Sequence, residues 1–144
     1  MGTDLMGRVT VPAKIENWGD LYMVEKGLLQ PDQVHWIEVS DALVDTGATA
    51  LSMPMSLIDQ LGLMPFRSRP VRTSAGVLTV NVYGGARLTV QGRDCQVDVV
   101  ELPEGSPVLI GQVPMELLDF VVDPANQRLI GNPAHGGEQM IEMY

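Results

Sequence analysis

The sequence predicts an all-β or β-rich, barrel-like fold with two short helices. Three observations carry this reading. Short segments of alternating apolar and polar residues recur along the chain, separated by turns containing Gly, Pro or Asp. Helical periodicity is confined to two brief stretches. Those stretches, Pro54-Met55-Ser56-Leu57-Ile58-Asp59 and Pro114-Met115-Glu116-Leu117-Leu118-Asp119, lie 60 positions apart and each follows an apolar strand ending in glycine. One supersecondary unit is therefore used twice.

Taken in order, Arg8-Val9-Thr10-Val11 opens an alternating strand that runs through Ile15. Asn17-Trp18-Gly19-Asp20 predicts a turn into Leu21 to Lys26, and Gln30-Pro31-Asp32 breaks the chain again. A strand over Val34 to Val39 leads through Ser40-Asp41 and the apolar Ala42-Leu43-Val44 to Asp45-Thr46-Gly47-Ala48. An aspartate at the end of a buried strand, followed by a short hydroxyl and a glycine, describes a sharp turn that exposes a carboxylate. The first helix opens at Pro54, places Leu57, Ile58 and Leu61 on one face, and closes at Gly62.

Downstream, Pro70-Val71-Arg72 and Val77 to Tyr83 flank Thr73-Ser74-Ala75-Gly76, the pattern of a hairpin with a flexible tip. Arg87 to Val90 and Gln96 to Val100 flank Gln91-Gly92-Arg93-Asp94 in a second hairpin. Val108-Leu109-Ile110-Gly111 repeats the strand-to-glycine unit and leads to the second helix, with no aspartate at its turn. The domain is placed at residues 1–133; residues 134–144 show little periodicity and are expected to be mobile or to pack between subunits.

Composition narrows the function. At 144 residues and 45% hydrophobic the chain can bury a substantial core. With a net charge of −9 and no clustered Lys and Arg, nucleic acid is not an expected partner. No apolar run approaches the roughly 18 residues that span a bilayer, and the N-terminus lacks a basic-then-apolar leader, so no membrane partner is expected. A cytoplasmic location is the default, and a single cysteine, Cys95, agrees with a reducing compartment. His35 and His135 stand apart without ligand spacing, so neither metal nor cofactor is expected, and no Gly-x-Ser-x-Gly occurs.

From about Val34 to Phe120 the chain resembles the retroviral-type, or retropepsin-like, aspartic peptidase family. The Asp45-Thr46-Gly47-Ala48 loop and the later Leu109-Ile110-Gly111 segment carry the likeness. The segment from Val121-Val122-Asp123-Pro124 to Asn132-Pro133 is similar to the ending of bacterial-type single-domain members. The resemblance implies an aspartic endopeptidase whose substrate is an extended polypeptide and whose subunits form a homodimer. Asp45 would be the catalytic carboxylate, and Thr46 would hydrogen-bond across the two loops. Gly47 and Ala48 would lie along the substrate backbone, Thr73, Ser74, Ala75 and Gly76 would form a β-hairpin flap over it, and Leu109, Ile110 and Gly111 would brace the loop from behind.

Chemistry requires the dimer. Hydrolysis without a metal or covalent intermediate needs a base to activate water and an acid to protonate the amide, and two close carboxylates sharing one proton supply both. A two-fold axis brings the same residue from two subunits together. Such a pair predicts an acidic to mildly acidic activity optimum. Compared with viral subunits, this chain has a longer N-terminal arm and a longer tail after Phe120, the regions those subunits use to pair. That departure keeps a second reading open, a catalytically weak or inactive dimerisation or peptide-binding module on the same fold. A third, in which Asp45-Thr46-Gly47 is a structural turn of an unrelated β-protein, leaves the 60-residue echo unexplained.

Overall fold

The computed structural model describes residues 8–143; the expected N-terminal arm before Arg8 lies outside them. The strands are β1 (Val9–Asn17), β2 (Trp36–Val44), β3 (Leu51–Pro54), β4 (Met64–Thr73), β5 (Gly76–Val90), β6 (Arg93–Leu102), β7 (Leu109–Ile110), β8 (Phe120–Asp123) and β9 (Arg128–Gly131). Three α-helices accompany them: α1 (Trp18–Glu25), α2 (Met55–Gln60) and α3 (Gln112–Leu118). Seven strands form one mixed sheet in the order β1-β2-β7-β3-β6-β5-β4. Because Lys14–Asn17 of β1 also pairs with β5, six of the seven close into a barrel, and β4 hangs from β5 as a free edge. The all-β, barrel-like architecture read from the sequence is the one observed.

Period-two patterning explains the barrel wall. In β1, Val9, Val11, Ala13 and Ile15 are buried, alternating with more exposed neighbours. Pro12 has no N–H to donate, and the β1–β2 register slips between Val11 and Ala13. Inside the barrel, Leu51, Met53, Leu88, Val99 and Ile110 are fully buried, and Ile58 of α2, Leu61 at its C-cap and Leu118 of α3 are fully buried in the same core. The predicted α2 face is thus the one that packs. Pro54 stands as the N-cap just before α2, whereas Pro114 is the third residue of α3, so the two copies enter their helices differently. Gly62 follows α2 at φ +62°, and Asp119 ends α3 in the same left-handed region at φ 60°.

The described residues hold three α-helices where the sequence predicts two, and the predicted turn at Asn17-Trp18-Gly19-Asp20 is the start of α1. Asn17 accepts a hydrogen bond from the Asp20 backbone N–H (3.0 Å), so the letters of a turn serve here as an N-cap. Its amide also donates to the Leu61 carbonyl (2.8 Å), fixing α1 to the end of α2. No residue of α1 is buried, so the helix has no apolar face and leaves no periodic signal.

The two hairpins are tighter than the sequence reading drew them. Thr73 faces Gly76 across a Ser74-Ala75 turn, and Val90 faces Arg93 across Gln91-Gly92. In the first, the Thr73 hydroxyl accepts from Ala75 N–H (3.1 Å) and donates to the Gly76 carbonyl (2.9 Å).

Past the β8–β9 hairpin the chain returns to its own subunit. Arg93 donates to the carbonyls of Leu118 (3.1 Å), Asp119 (2.8 Å) and Gly137, and its guanidinium lies over the Phe120 ring. His135 stands between Asp119 (Nδ1 to Oδ2, 2.6 Å) and Glu142 (Nε2 to Oε2, 2.6 Å), while Met140 N–H donates to Asp119 (3.0 Å). Residues 135–140, read from the sequence as mobile or intersubunit, are therefore bonded to the body of the domain. The hydrogen bond to Asp119, then that to Glu142, raises the His135 pKa above its ordinary 6.5. In turn the His135 hydrogen bond lowers Asp119 below its ordinary 3.8. A raised histidine stabilises fully below 6.5 and loses its contribution as pH climbs through the raised value; a lowered aspartate stabilises above 3.8 and loses its contribution below it. Amide exchange protection of residues 135–140, corrected for intrinsic rate, is expected to be greatest between those limits and to fall on both sides. A pH-independent profile would count against this anchor.

Candidate active site

Strand pairing around β7 places the aspartate loop. β7 runs parallel to β2, Leu43 beside Leu109 and Val44 beside Ile110, and antiparallel to β3, Leu51 beside Ile110. Residues 45–50 must then leave β2, pass over the end of β7 and return as β3. Backbone bonds from the second copy hold this crossing. Asp45 N–H donates to the Ile110 carbonyl (3.0 Å) and Gly111 N–H to Ala50 (3.0 Å). Gln112 N–H and Val113 N–H reach the carbonyls of Ala48 (2.8 Å) and Thr49 (2.9 Å).

Gly111 lies flush against the loop, since a Cβ on it would stand 2.6 Å from the Thr49 carbonyl carbon and 2.7 Å from Ala50 N and O. Ile110 is fully buried beside it.

Within the loop, Ala48 N–H donates to the Asp45 carbonyl (3.0 Å), and Gly47 N–H donates to Asp45 Oδ1 (2.9 Å). The carboxylate is thereby oriented through one oxygen. Among the described residues the other oxygen has no hydrogen-bond partner, and Asp45 lines a cleft of about 1160 Å³. A Cβ at Gly47 would come within 3.2 Å of Asp45 Oδ1, which gives that glycine a steric reason beside its turn. Gly47, Ala48 and Leu109 also line the cleft, whereas Thr46 is exposed and lies outside its lining.

The projecting hairpin contributes the opposite wall. Thr73 lines the cleft; Ser74, Ala75 and Gly76 form the tip beyond the lining residues. The arms do more than the tip: Arg69 and Val71 of β4 and Leu78, Val80 and Val82 of β5 all face the cavity. The expected substrate contacts lie at the tip alone, although the alternation on either side of it marks these arm positions. Sequence reading also overlooked the run Arg67, Arg69, Arg72 on β4, whose charges are spaced out by Ser68, Pro70 and Val71. Val113 and Leu117 of α3 line the other end, both partly exposed.

Among the described residues no three His, Cys, Asp or Glu side chains gather into a possible metal site. No described helix is long and apolar enough to cross a membrane.

Residues 38–116 match the family described as "gag-polyprotein putative aspartyl protease". Among solved structures, the solution structure of the Simian Foamy Virus (mac) protease is similar at 21% identity, over 76% of this chain and 93% of that one, with a TM-score of 0.47. No curated protein matches the sequence. The family match covers more than half of the chain and runs without interruption through the Asp45 loop, the projecting hairpin and the Gly111 brace, so the chain belongs to the retropepsin-like aspartyl protease family.

Proposed function

We propose that the protein is an aspartic endopeptidase that hydrolyses extended polypeptides as a homodimer, with Asp45 of each subunit contributing one half of the catalytic pair. The observation that carries this reading is the state of Asp45: braced by a second strand-and-glycine unit, open to a peptide-sized cleft, and without a second carboxylate bonded to it among the described residues. A single carboxylate cannot act as acid and base in one step. Two copies meeting at a two-fold axis can.

In that assembly the ionised Asp45 takes a proton from water as the water oxygen bonds to the scissile carbonyl carbon. Its protonated counterpart gives its proton to the carbonyl oxygen. As the tetrahedral diol collapses and the C–N bond breaks, the Asp45 that took the water proton gives it to the leaving nitrogen while a diol hydroxyl gives its proton to the other Asp45, which regenerates the singly protonated pair. Thr46, exposed beside each aspartate, would bond with the facing loop, and the small Gly47 and Ala48 in the cleft lining would leave room for the peptide backbone. The hairpin offers a free β4 edge and backbone groups to an extended chain, closing it off from water. Burial, and then the charge of Asp94, push the Cys95 thiol up to about 11, so little thiolate forms near neutral pH and the lone cysteine has no part in the proposed chemistry.

Cleavage of a mixed peptide library between pH 3 and 7, with sedimentation of the same samples, tests the reading. Turnover per subunit is expected to be highest in acid and to rise with protein concentration in step with the dimer fraction. Full turnover by a monomer would overturn the shared pair. A folded dimer that binds peptides without cutting them would instead support the peptide-binding module.

A further inference from the structure

The sequence carries 9 Lys and Arg against 18 Asp and Glu, so a cation without an acidic partner is unexpected. Most of the described cations are engaged. Lys14 and Arg87 pair with Glu16, Arg128 with Asp123, Arg93 with backbone carbonyls, and Lys26 lies over Tyr22. On β4, Arg67 is stacked on Phe66 at 4.5 Å. Arg69 and Arg72 differ: among the described residues neither has an ion pair or a hydrogen-bonded side-chain partner, and both border the Asp45 cleft.

Strand register separates these two. Arg69 stands directly opposite Val80, and Val71 opposite Leu78, so these four side chains share the face of the hairpin that looks into the cleft. Arg72 stands opposite Val77, so it leaves from the other face of the hairpin and borders the cleft away from the Val71, Leu78 and Val80 strip. Arg69 is thus a guanidinium set at the edge of an apolar strip made by Val71, Leu78 and Val80. Among the described residues such a cation has no ion-pair partner. Of the carboxylates that also line the cleft, Glu101 is already engaged by the Asn81 backbone N–H (3.1 Å), and Asp98 is exposed.

An extended peptide presents side chains on one face every two residues, about 7 Å apart, which is the spacing of Arg69 and Val71 along β4. We infer that Arg69 is a specificity-determining residue that selects substrates with an Asp or Glu side chain beneath the hairpin arm, beside an apolar residue resting on Val71, Leu78 and Val80. This rests on the peptidase reading above. In the homodimer each subunit supplies one Arg69, so an acidic residue is read on both sides of the scissile bond. A planar, permanently charged fork suits a carboxylate, and the apolar strip reduces the water that competes for it.

The test uses matched extended peptides that differ only by Glu, Gln or Lys at each position. They are given to wild type, Arg69→Gln, Arg69→Glu and Arg72→Gln, and the kcat/KM ratio of each Glu peptide to its Gln counterpart is read. Wild type is expected to favour Glu about tenfold at one or two positions, the size of one charge-assisted hydrogen bond. That ratio should fall to near one in Arg69→Gln, favour Lys in Arg69→Glu, persist in Arg72→Gln, and shrink as salt is raised. Equal wild-type rates, a preference that survives Arg69→Gln, or its loss in Arg72→Gln alone would overturn the assignment. If no peptide is cut by wild type, the peptidase reading fails by itself. Fluorescence anisotropy with the same Glu and Gln peptides then decides on Arg69, for which equal affinities in wild type would be the refuting result.

Discussion

Replacing Asp45 with asparagine is expected to remove peptide cleavage while leaving the fold in place. In the proposed homodimer one substitution would alter both halves of the pair, so the base that activates water and the acid that protonates the amide would be lost together. Each role contributes about 10²–10⁴-fold, and the combined loss is expected to reach about 10⁴-fold or more. Stability should change little, because the asparagine amide keeps a side-chain oxygen where Asp45 Oδ1 accepts from Gly47 N–H, and Asp45 itself is only half-buried. A thermal midpoint within a few degrees of wild type is the accompanying result, since surface changes of this kind stay within about 0.5 kcal/mol. Mixing wild type with the variant adds a sharper reading: mixed dimers hold one carboxylate, so activity should drop faster than the wild-type fraction does. Undiminished cleavage by the variant would sink the shared-pair mechanism outright.

What the sequence revealed, and what it hid, follows from how each residue earns its place. Asp45, Gly47 and Gly111 were legible because a turn that exposes a carboxylate and a backbone crossing behind it demand particular small residues at particular points. The barrel strands were legible because a closed sheet imposes period two, as β1 shows. α1 was not legible, since a helix that buries nothing has no reason to carry an apolar stripe, and its capping Asn17 uses the same letters as a turn. The tail was missed for a related cause. Its anchor is a set of polar contacts among Asp119, Asn132, His135 and Glu142, spread along the chain, and polar contacts leave no periodicity. Arg69 escaped because its meaning depends on cross-strand register, which pairs it with Val80 and turns it toward the cleft.

Substituting alanine for Gly111 is expected to damage stability and catalysis together, which distinguishes it from the change at Asp45. Backbone conformation is not the obstacle, because φ −85° and ψ −170° suit any residue. Space is the obstacle: the added methyl would meet the Thr49 carbonyl carbon at 2.6 Å and Ala50 N and O at 2.7 Å. Those are main-chain atoms of a loop fixed on both sides, by Gly111 N–H to Ala50 and by Gln112 and Val113 N–H to Ala48 and Thr49. Neither side can yield alone without breaking these bonds. Overpacking of this kind costs about 3 kcal/mol, and a domain of this size loses about 10 °C in thermal midpoint for it. Because the same loop carries Asp45, a displacement of about 1 Å there is expected to lower kcat about 10²-fold in whatever protein remains folded. Gly47→Ala offers a contrast, since its methyl would crowd only the Asp45 carboxylate, at 3.2 Å, and should affect turnover more than melting. If Gly111→Ala melts and cleaves like wild type, the second strand-and-glycine unit does not hold the aspartate loop, and the repeated element would have to be explained by something other than the site.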